Sequence, residues 1–191
     1  MSEPRPKLAE LFAYMDSTRA ALVKTARGTN ASFARIRPRD GAWSAQEVLA
    51  HLAIVENGVA ARMAKAIAAA RAEGIGPDVS DESFMHTLDA FRIADPDAKM
   101  SAPPRIIPEN AGGIEESLTS LAASRELLKK TLIESSDIDL HSVKFPHPVL
   151  NEIDTFQWAL FVAQHEERHR KQIERTLGEV TELAAECAPI V

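Results

Sequence analysis

The sequence predicts an all-α fold, a four-helix bundle. Two observations lead to this prediction: four long segments place apolar residues three and four positions apart, and almost no segment alternates apolar with polar residues as a strand does. The length of 191 residues suits one domain with a sizeable core. We place the bundle domain at residues 1–178 and a C-terminal tail at residues 179–191.

The first two helices are expected in the N-terminal part of the chain. Residues 8–27 repeat apolar side chains at helical spacing, and Gly28 follows as a stop signal. Ser44 and Glu47 match the capping box, in which the two residues satisfy each other's backbone N–H groups. The second helix is therefore predicted to begin after Ser44 and to run to about Glu73.

The other two helices are expected after a long connector. Residues 74–113 are rich in proline, and because a structureless loop of this length is unusual, we expect a short helix at residues 80–94. The same connector is expected to shape the mouth of a pocket. The third helix is predicted at residues 114–134. The fourth is predicted at residues 155–177, begun by Asp154 and closed by Gly178, with no strand before it.

The composition excludes several classes of function. The formal net charge is −6, whereas a protein that binds a nucleic-acid backbone needs a positive face, so no nucleic-acid partner is expected. The apolar stretch at residues 156–163 is far shorter than the roughly 20 residues of a membrane span, so no membrane-spanning segment and no membrane partner are expected. The polar N-terminus lacks a secretory signal, so we expect a cytoplasmic protein. Because the chain has a single cysteine, Cys187, it cannot form a cysteine-based metal cluster. Histidine and carboxylate side chains would have to supply the ligands of any bound metal.

Three of the six histidines lie on predicted helices at positions suited to metal binding. His165 and His169 share one face of the fourth helix, with Cβ atoms about 5–6 Å apart. His51 lies within the apolar stripe of the second helix, and bundles commonly build metal sites from facing helices. Three neutral imidazoles would bind zinc, nickel, iron or manganese and leave positions open for water or substrate. Without a third ligand, two histidines four positions apart, such as His165 and His169, more often lie on a solvated helix face than bind a metal ion.

Two neighbours of the histidine pair are candidate catalytic residues. Glu166 could act as a base beside bound water, and Gln172 could orient water or substrate. The alternatives are a solvated surface position for Glu166 and packing against the tail for Gln172. The run from His165 to His169 also matches the H-E-x-x-H pattern of zinc proteases, but we find neither a downstream ligand motif nor an edge strand.

The remaining polar and aromatic residues are expected to have structural roles. Glu47 could accept a hydrogen bond from His51, although the capping box already explains it. Arg125 is expected to pair with a carboxylate, and Trp43 and Trp158 to anchor the core, with Trp158 as a further candidate for a pocket wall. Structural or surface positions are expected for His86, His141, His147 and Cys187.

The order and spacing of several motifs resemble the DinB-like superfamily. The motifs are Trp43-Ser-Ala-Gln-Glu-Val-Leu-Ala-His51-Leu52, Ala102-Pro-Pro-Arg-Ile-Ile-Pro108, Arg125 within residues 121–128, Phe145-Pro-His-Pro148, Trp158, and His165-x-x-x-His169-Arg-Lys-Gln-Ile173. The pattern that begins at Trp43 is specific mainly because it is followed by the histidine pair. The chain departs from the family at Leu150-Asn151, where a glycine is usual.

The resemblance implies a bundle of up-down-down-up topology, often dimeric, in which His51, His165 and His169 bind a divalent metal. Family members include transferases and isomerases that use low-molecular-weight thiols, and others described as metal-dependent hydrolases. We therefore expect a hydrolase or a thiol S-transferase that acts on a small molecule, with a low-molecular-weight thiol as candidate co-substrate, and a homodimer. The alternative is a non-catalytic, metal-stabilised interaction module.

Overall fold

The computed structural model describes residues 5–98, 106–108 and 111–186. Its helices are α1 (Pro6–Arg27), α2 (Ala45–Ala72), α3 (Ile114–Ile133) and α4 (Thr155–Glu186). A hairpin of β1 (Lys144–His147) and β2 (Asn151–Asp154) precedes α4. The predicted four-helix bundle is thus confirmed. Within the described residues, no helix is long and apolar enough to cross a membrane.

Contacts between the helices give the up-down-down-up topology. Thr18 contacts Glu166 and Thr25 contacts Glu174, so α1 and α4 run in the same direction. Two further pairs, Asn57 with Ser120 and Arg71 with the carbonyl of Glu134, show that α2 and α3 are also parallel. By contrast, α2 and α4 are antiparallel, since His51 lies beside His169 and Arg62 lies over Trp158.

Two predicted helix starts are confirmed by their capping bonds. The backbone N–H of Glu47 donates to Ser44 Oγ at 3.3 Å, and that of Ser44 donates to a carboxylate oxygen of Glu47 at 2.8 Å. At the start of α4, the backbone N–H of Gln157 donates to Asp154 Oδ1 at 2.8 Å. Local side-chain chemistry therefore sets where these two helices begin.

The expectation that no strand precedes α4 is wrong. Lys144 pairs with Asp154, and His147 with Asn151, in an antiparallel register. Burial alternates along β1 over only four residues, which is too short a run to stand out as a strand pattern in the sequence. Asn151 adopts φ 62°, a left-handed conformation that asparagine tolerates better than most residues.

Two other details of the helix predictions differ from the structure: the kind of helix in the connector and the end of the fourth helix. The short helical piece expected at residues 80–94 is a single 3₁₀ helix (Asp89–Phe91) among turns and not an α-helix, because Ser80 and Ser83 bond to nearby backbone N–H groups in competition with a helix. Helix α4 continues past Gly178 to Glu186. A helical glycine costs about 1 kcal/mol, and the burial of Val180 in the next turn offsets that cost.

A buried ion network takes one residue from each helix. Arg19 of α1 and Arg125 of α3 both bind Glu56 of α2 and Glu166 of α4, with distances of 2.6 to 3.1 Å for the closest contacts. Thr18 Oγ1 adds a hydrogen bond to Glu166 at 3.0 Å. The pairing expected for Arg125 is confirmed. Two positive and two negative groups thus satisfy one another at the centre of the bundle.

This network separates two apolar clusters. The cluster near the N-terminus of α4 includes Met15, Val59 and Leu128, and the one beyond the network includes Leu22 and Leu121. In every helix, the network residue stands between positions of the first cluster and positions of the second. The ion network is therefore a polar layer across an otherwise apolar core.

We expect Arg125→Ala to lower the free energy of unfolding by about 3–5 kcal/mol, because it leaves the carboxylates of Glu56 and Glu166 buried beside a single remaining arginine. Urea denaturation measures the change. The matched control is Arg71→Ala, which removes an exposed ion pair with Asp137 and should cost no more than about 1 kcal/mol. Equal stability of the Arg125 variant and the wild type would contradict the role of the network.

Candidate metal centre

Three imidazoles converge between α2 and α4. His165 Nε2 lies 3.4 Å from His51 Nε2 and 3.0 Å from His169 Nε2, and the candidate ligand atoms all lie within 4.8 Å of one another. The three side chains are buried, with exposed fractions of 2% for His51, 9% for His165 and 7% for His169. The structure thus brings together all three residues expected as metal ligands.

Hydrogen bonds at Nδ1 set the tautomers of two of these rings. His51 Nδ1 lies 2.8 Å from the backbone carbonyl of Ile106, which can only accept, so His51 carries its proton on Nδ1. His169 Nδ1 donates to Gln172 Oε1 at 2.6 Å. The Nε2 atoms of His51 and His169 therefore both present lone pairs toward His165. Orientation by such partners is typical of metal-ligating histidines.

Burial keeps the three rings neutral. Desolvation lowers the pKa of His51, and it lowers the pKa of His165 well below 6.5, where the neighbouring His169 and His51 add to the effect. Desolvation, followed by the proximity of His51, lowers the pKa of His169 to about 3. At neutral pH all three imidazoles are therefore uncharged and able to act as ligands.

The donor set fits a divalent cation. His165 has at most one Nε2 proton and can satisfy only one of the two lone pairs that face it. A cation accepts electron density from all three nitrogen atoms, which removes the repulsion between lone pairs. Three histidine ligands also match the sets that proteins use for zinc and other first-row metals.

The histidines line a cavity of about 640 Å³. Its walls include the aromatic side chains of Trp43, Trp158 and Phe161. Pro96 and Ile106 also line it, so the connector between α2 and α3 shapes the cavity as expected. A cavity of this size accommodates a small molecule next to the three histidines.

The two candidate catalytic residues occupy different environments. Gln172 lines the cavity and holds His169, as described above. Glu166 is only 1% exposed, and both of its carboxylate oxygens bind Thr18, Arg19 or Arg125 in the ion network. It does not line the cavity, so it is not placed as the base expected from the sequence or from the H-E-x-x-H pattern. Adjacent positions on a helix point about 100° apart, which separates Glu166 from His165.

The cavity also contains a histidine that the sequence did not single out as functional. His147, for which a structural or surface position was expected, lies in the hairpin and lines the cavity with Trp158 and Arg62. Its place in the Phe-Pro-His-Pro motif was the available signal. The structural expectations are met by the exposed His86, and by His141, which contacts Asp154. Cys187 lies outside the described residues.

We expect the metal-free protein to lose stability as the pH falls from 7 to 5. Each histidine with a lowered pKa stays neutral when folded, whereas the unfolded chain takes up a proton near pH 6.5, so acid favours unfolding. The loss is roughly 2 kcal/mol for each histidine that stays neutral. Urea titrations at both pH values measure the loss, and His169→Leu should reduce it. A pH-independent wild type would contradict the buried, neutral cluster.

Comparisons with known proteins agree with this architecture. The family model described as the DinB superfamily matches residues 14–173, a span that contains all three histidines. A crystal structure of TT2238, described as a four-helix bundle protein, superposes with a TM-score of 0.56 at 22% identity, covering 88% of this chain and 98% of the other. This likeness supports the fold. No curated protein matches the sequence. Because the family model covers most of the chain, the protein belongs to the DinB superfamily.

Proposed function

We propose that His51, His165 and His169 bind a divalent metal ion and that this site is the catalytic centre for a small-molecule substrate. The observation that carries the proposal is the convergence of three neutral imidazoles beside an open cavity. Three protein ligands leave coordination positions available, which is typical of catalytic metal sites. Zinc, nickel, iron and manganese are all compatible with histidine ligands.

The residues around the site would prepare it for chemistry. A bound divalent ion supplies a Lewis acid that favours ionisation of water or of a thiol at neutral pH. The carbonyl of Ile106 and the amide of Gln172 orient two of the imidazoles. Trp43 packs against His51 with ring centroids 4.8 Å apart, and Phe161 stacks on His165 at 5.1 Å. These two aromatic rings limit the access of bulk water to the ligands.

In the described part of the cavity, the lack of an unpaired carboxylate favours a thiol S-transferase over a hydrolase. Among the described residues, Glu179 is the one carboxylate that lines the cavity, and it is paired with Arg39. Activation of water is helped by a general base, and the described part of the site places no free carboxylate in that role. A thiol ionises far more readily than water, so it depends less on such a base. We therefore propose a low-molecular-weight thiol as the nucleophile or co-substrate.

Metal analysis tests the site directly. Protein purified without chelators or affinity histidines should contain about one divalent ion per chain, and His169→Ala should lose it while His86→Ala retains it. Gln172→Ala should weaken metal affinity by about 10- to 100-fold, measured by competition with a chromophoric chelator, because His169 loses its hydrogen-bond acceptor. Gln172→Glu keeps an acceptor and should retain the affinity. A wild type without stoichiometric metal at neutral pH would overturn the metal site.

An activity assay distinguishes the two reaction types. With a small thiol and monobromobimane, the sulfur forms a bond to carbon, bromide leaves, and the thiol proton passes to solvent. We expect the metal-loaded protein to accelerate this reaction at least tenfold more than it accelerates hydrolysis of 4-nitrophenyl acetate. Chelation and His169→Ala should remove the effect. Acceleration of ester hydrolysis alone would favour a hydrolase, and acceleration of neither would favour a metal-stabilised structural role.

A further inference from the structure

The hairpin end of the cavity carries a histidine that the proposed metal site does not use. His147 is the last residue of β1, is 8% exposed and lines the cavity. Its ring contacts two aromatic side chains of α4, with centroids 4.8 Å from Trp158 and 4.4 Å from Phe161. The hairpin thus holds an imidazole against an aromatic wall of the cavity.

The turn of the hairpin sets the tautomer of His147. The backbone N–H groups of Val149 and Leu150 both donate to His147 Nδ1 at 3.1 Å. Because Nδ1 accepts these bonds, the ring proton is on Nε2. The arrangement resembles an Asx turn, in which a side-chain oxygen accepts a hydrogen bond from the backbone N–H two positions ahead. The turn therefore leaves Nε2–H as a donor with a fixed direction.

The Nε2–H group of His147 reaches the cavity. Among the described residues, none accepts a hydrogen bond from this group, and Gln164 Oε1 is the one buried side-chain nitrogen or oxygen atom without a partner. His147 Nε2 is therefore not enclosed in the core. Since its ring lines the cavity, a ligand there can accept the hydrogen bond.

The imidazole of His147 is neutral. Burial, followed by the nearby charge of Arg62, lowers the pKa of His147 to about 4. A neutral imidazole donates one hydrogen bond without adding a charge, and it can polarise a carbonyl group without protonating it. A carbonyl oxygen is a matching acceptor, because it brings no charge into an aromatic environment.

Phe161 connects His147 to the three-histidine cluster. Its ring stacks on His165 with centroids 5.1 Å apart and meets His147 edge-on. Trp158 extends the same wall and is held by a hydrogen bond from its Nε1–H to the carbonyl of Phe145 at 3.2 Å. A small molecule that lies along Phe161 and Trp158 therefore has one end at His147 and the other near the cluster.

The opposite end of the cavity is more polar. Beyond the histidine cluster, the wall includes the ion pair of Arg39 with Glu179, and Arg175, which pairs with Asp97. The hairpin end instead adds the apolar side chain of Val149. A small thiol that carries polar groups suits the polar end, which leaves the hairpin end for the less polar of two substrates.

We propose that the Nε2–H group of His147 binds a carbonyl oxygen of the electrophilic substrate, whose apolar body packs against Trp158 and Phe161. The substrate class is small carbonyl compounds with an apolar or aromatic body. His147 then determines specificity, because it selects and polarises the carbonyl group. The inference rests on the proposed function in naming this ligand as the electrophile that reacts with the thiol, whereas binding at His147 needs no metal.

Two matched probes test the site in metal-free protein. 4′-Fluoroacetophenone and 4-fluoro-α-methylstyrene have similar shapes, but a methylene group replaces the carbonyl oxygen in the second. Fluorine NMR titrations measure both dissociation constants. His147→Asn should weaken binding of the ketone about two- to tenfold, the range expected for one hydrogen bond, and leave binding of the alkene unchanged.

Asparagine is the suitable replacement because it can keep the turn without the donor. Its side-chain oxygen can form an Asx turn with the hairpin N–H groups, whereas its amide falls short of the position of Nε2. Circular dichroism checks that the variant is folded. His86→Asn, at an exposed position outside the cavity wall, is the matched control and should leave both dissociation constants unchanged.

A ketone labelled with carbon-13 at the carbonyl gives a readout that needs no variant. A hydrogen bond deshields the carbonyl carbon, so the signal of the ketone bound to the wild type should lie downfield of its signal in cyclohexane. In His147→Asn the bound signal should move back upfield. The inference is overturned if the wild type does not bind the ketone, if the bound signal matches that in cyclohexane, or if a folded His147→Asn variant binds the ketone as tightly as the wild type.

Two bromides test whether the carbonyl compound is the electrophile. Phenacyl bromide carries a carbonyl group and benzyl bromide lacks one. With a small thiol, each forms a sulfur–carbon bond, bromide leaves, and the thiol proton passes to solvent. In the metal-loaded protein, His147→Asn should lower kcat/KM for phenacyl bromide about two- to tenfold and leave that for benzyl bromide unchanged.

The two sets of measurements distinguish failure of the carbonyl site from failure of the metal site. If the wild type accelerates neither bromide, the proposed function is contradicted, and the titrations of metal-free protein still decide whether His147 binds a carbonyl group. If the wild type accelerates both bromides and His147→Asn changes the two values of kcat/KM equally, or changes neither, the inference is overturned.

Discussion

The buried ion network of Arg19, Glu56, Arg125 and Glu166 is the constraint on which the rest of the bundle depends. Apolar side chains can pack in several registers, but buried charges are tolerated only where their partners meet them. Each of the four helices contributes one member. A shift of one helix by a turn would leave a buried charge without its partner. The network therefore specifies the relative positions of helices whose apolar surfaces alone would permit alternatives.

The same helices that complete the network also carry the metal ligands. Glu166 and His165 are adjacent in α4, so fixing the carboxylate at the bundle centre directs the imidazole toward the cavity. Glu56 similarly fixes α2, which carries His51 one and a half turns earlier. Convergence of three imidazoles within hydrogen-bonding distance requires this precision, because ligand geometry tolerates only small displacements. The polar layer and the histidine cluster are thus two sides of one packing arrangement.

The short hairpin adds what the helices do not provide. It places His147 and the carbonyl of Phe145 against Trp158, and it requires a left-handed residue at its turn, which Asn151 supplies. The cavity therefore has a helical side with the three histidines and a hairpin side with His147. Variation in such a loop can change what a site binds without disturbing the bundle that supports it.

Several features of the protein were determined by the sequence alone, because they depend on local chemistry. Helical periodicity located the four helices, Ser44 and Asp154 marked two starts, and the spacing of His165 and His169 indicated one helix face. The single cysteine and the family motifs then directed attention to His51 as the third member of the cluster. The sequence also led us to expect that Arg125 pairs with a carboxylate, and the structure confirms this pairing.

Tertiary structure decided the rest, because the competing options differ only in contacts between distant residues. Burial of Val180 carries α4 past Gly178, and local hydrogen bonds of Ser80 and Ser83 prevent the expected helix in the connector. From the sequence, Glu166 was expected either as a catalytic base or at a solvated surface position, and a buried structural role was not foreseen. Glu166 has a structural role because Arg19 of α1 and Arg125 of α3 bind its carboxylate. His147 lines the cavity because the hairpin places it there. Such contacts arise from packing, which no local pattern in the chain encodes.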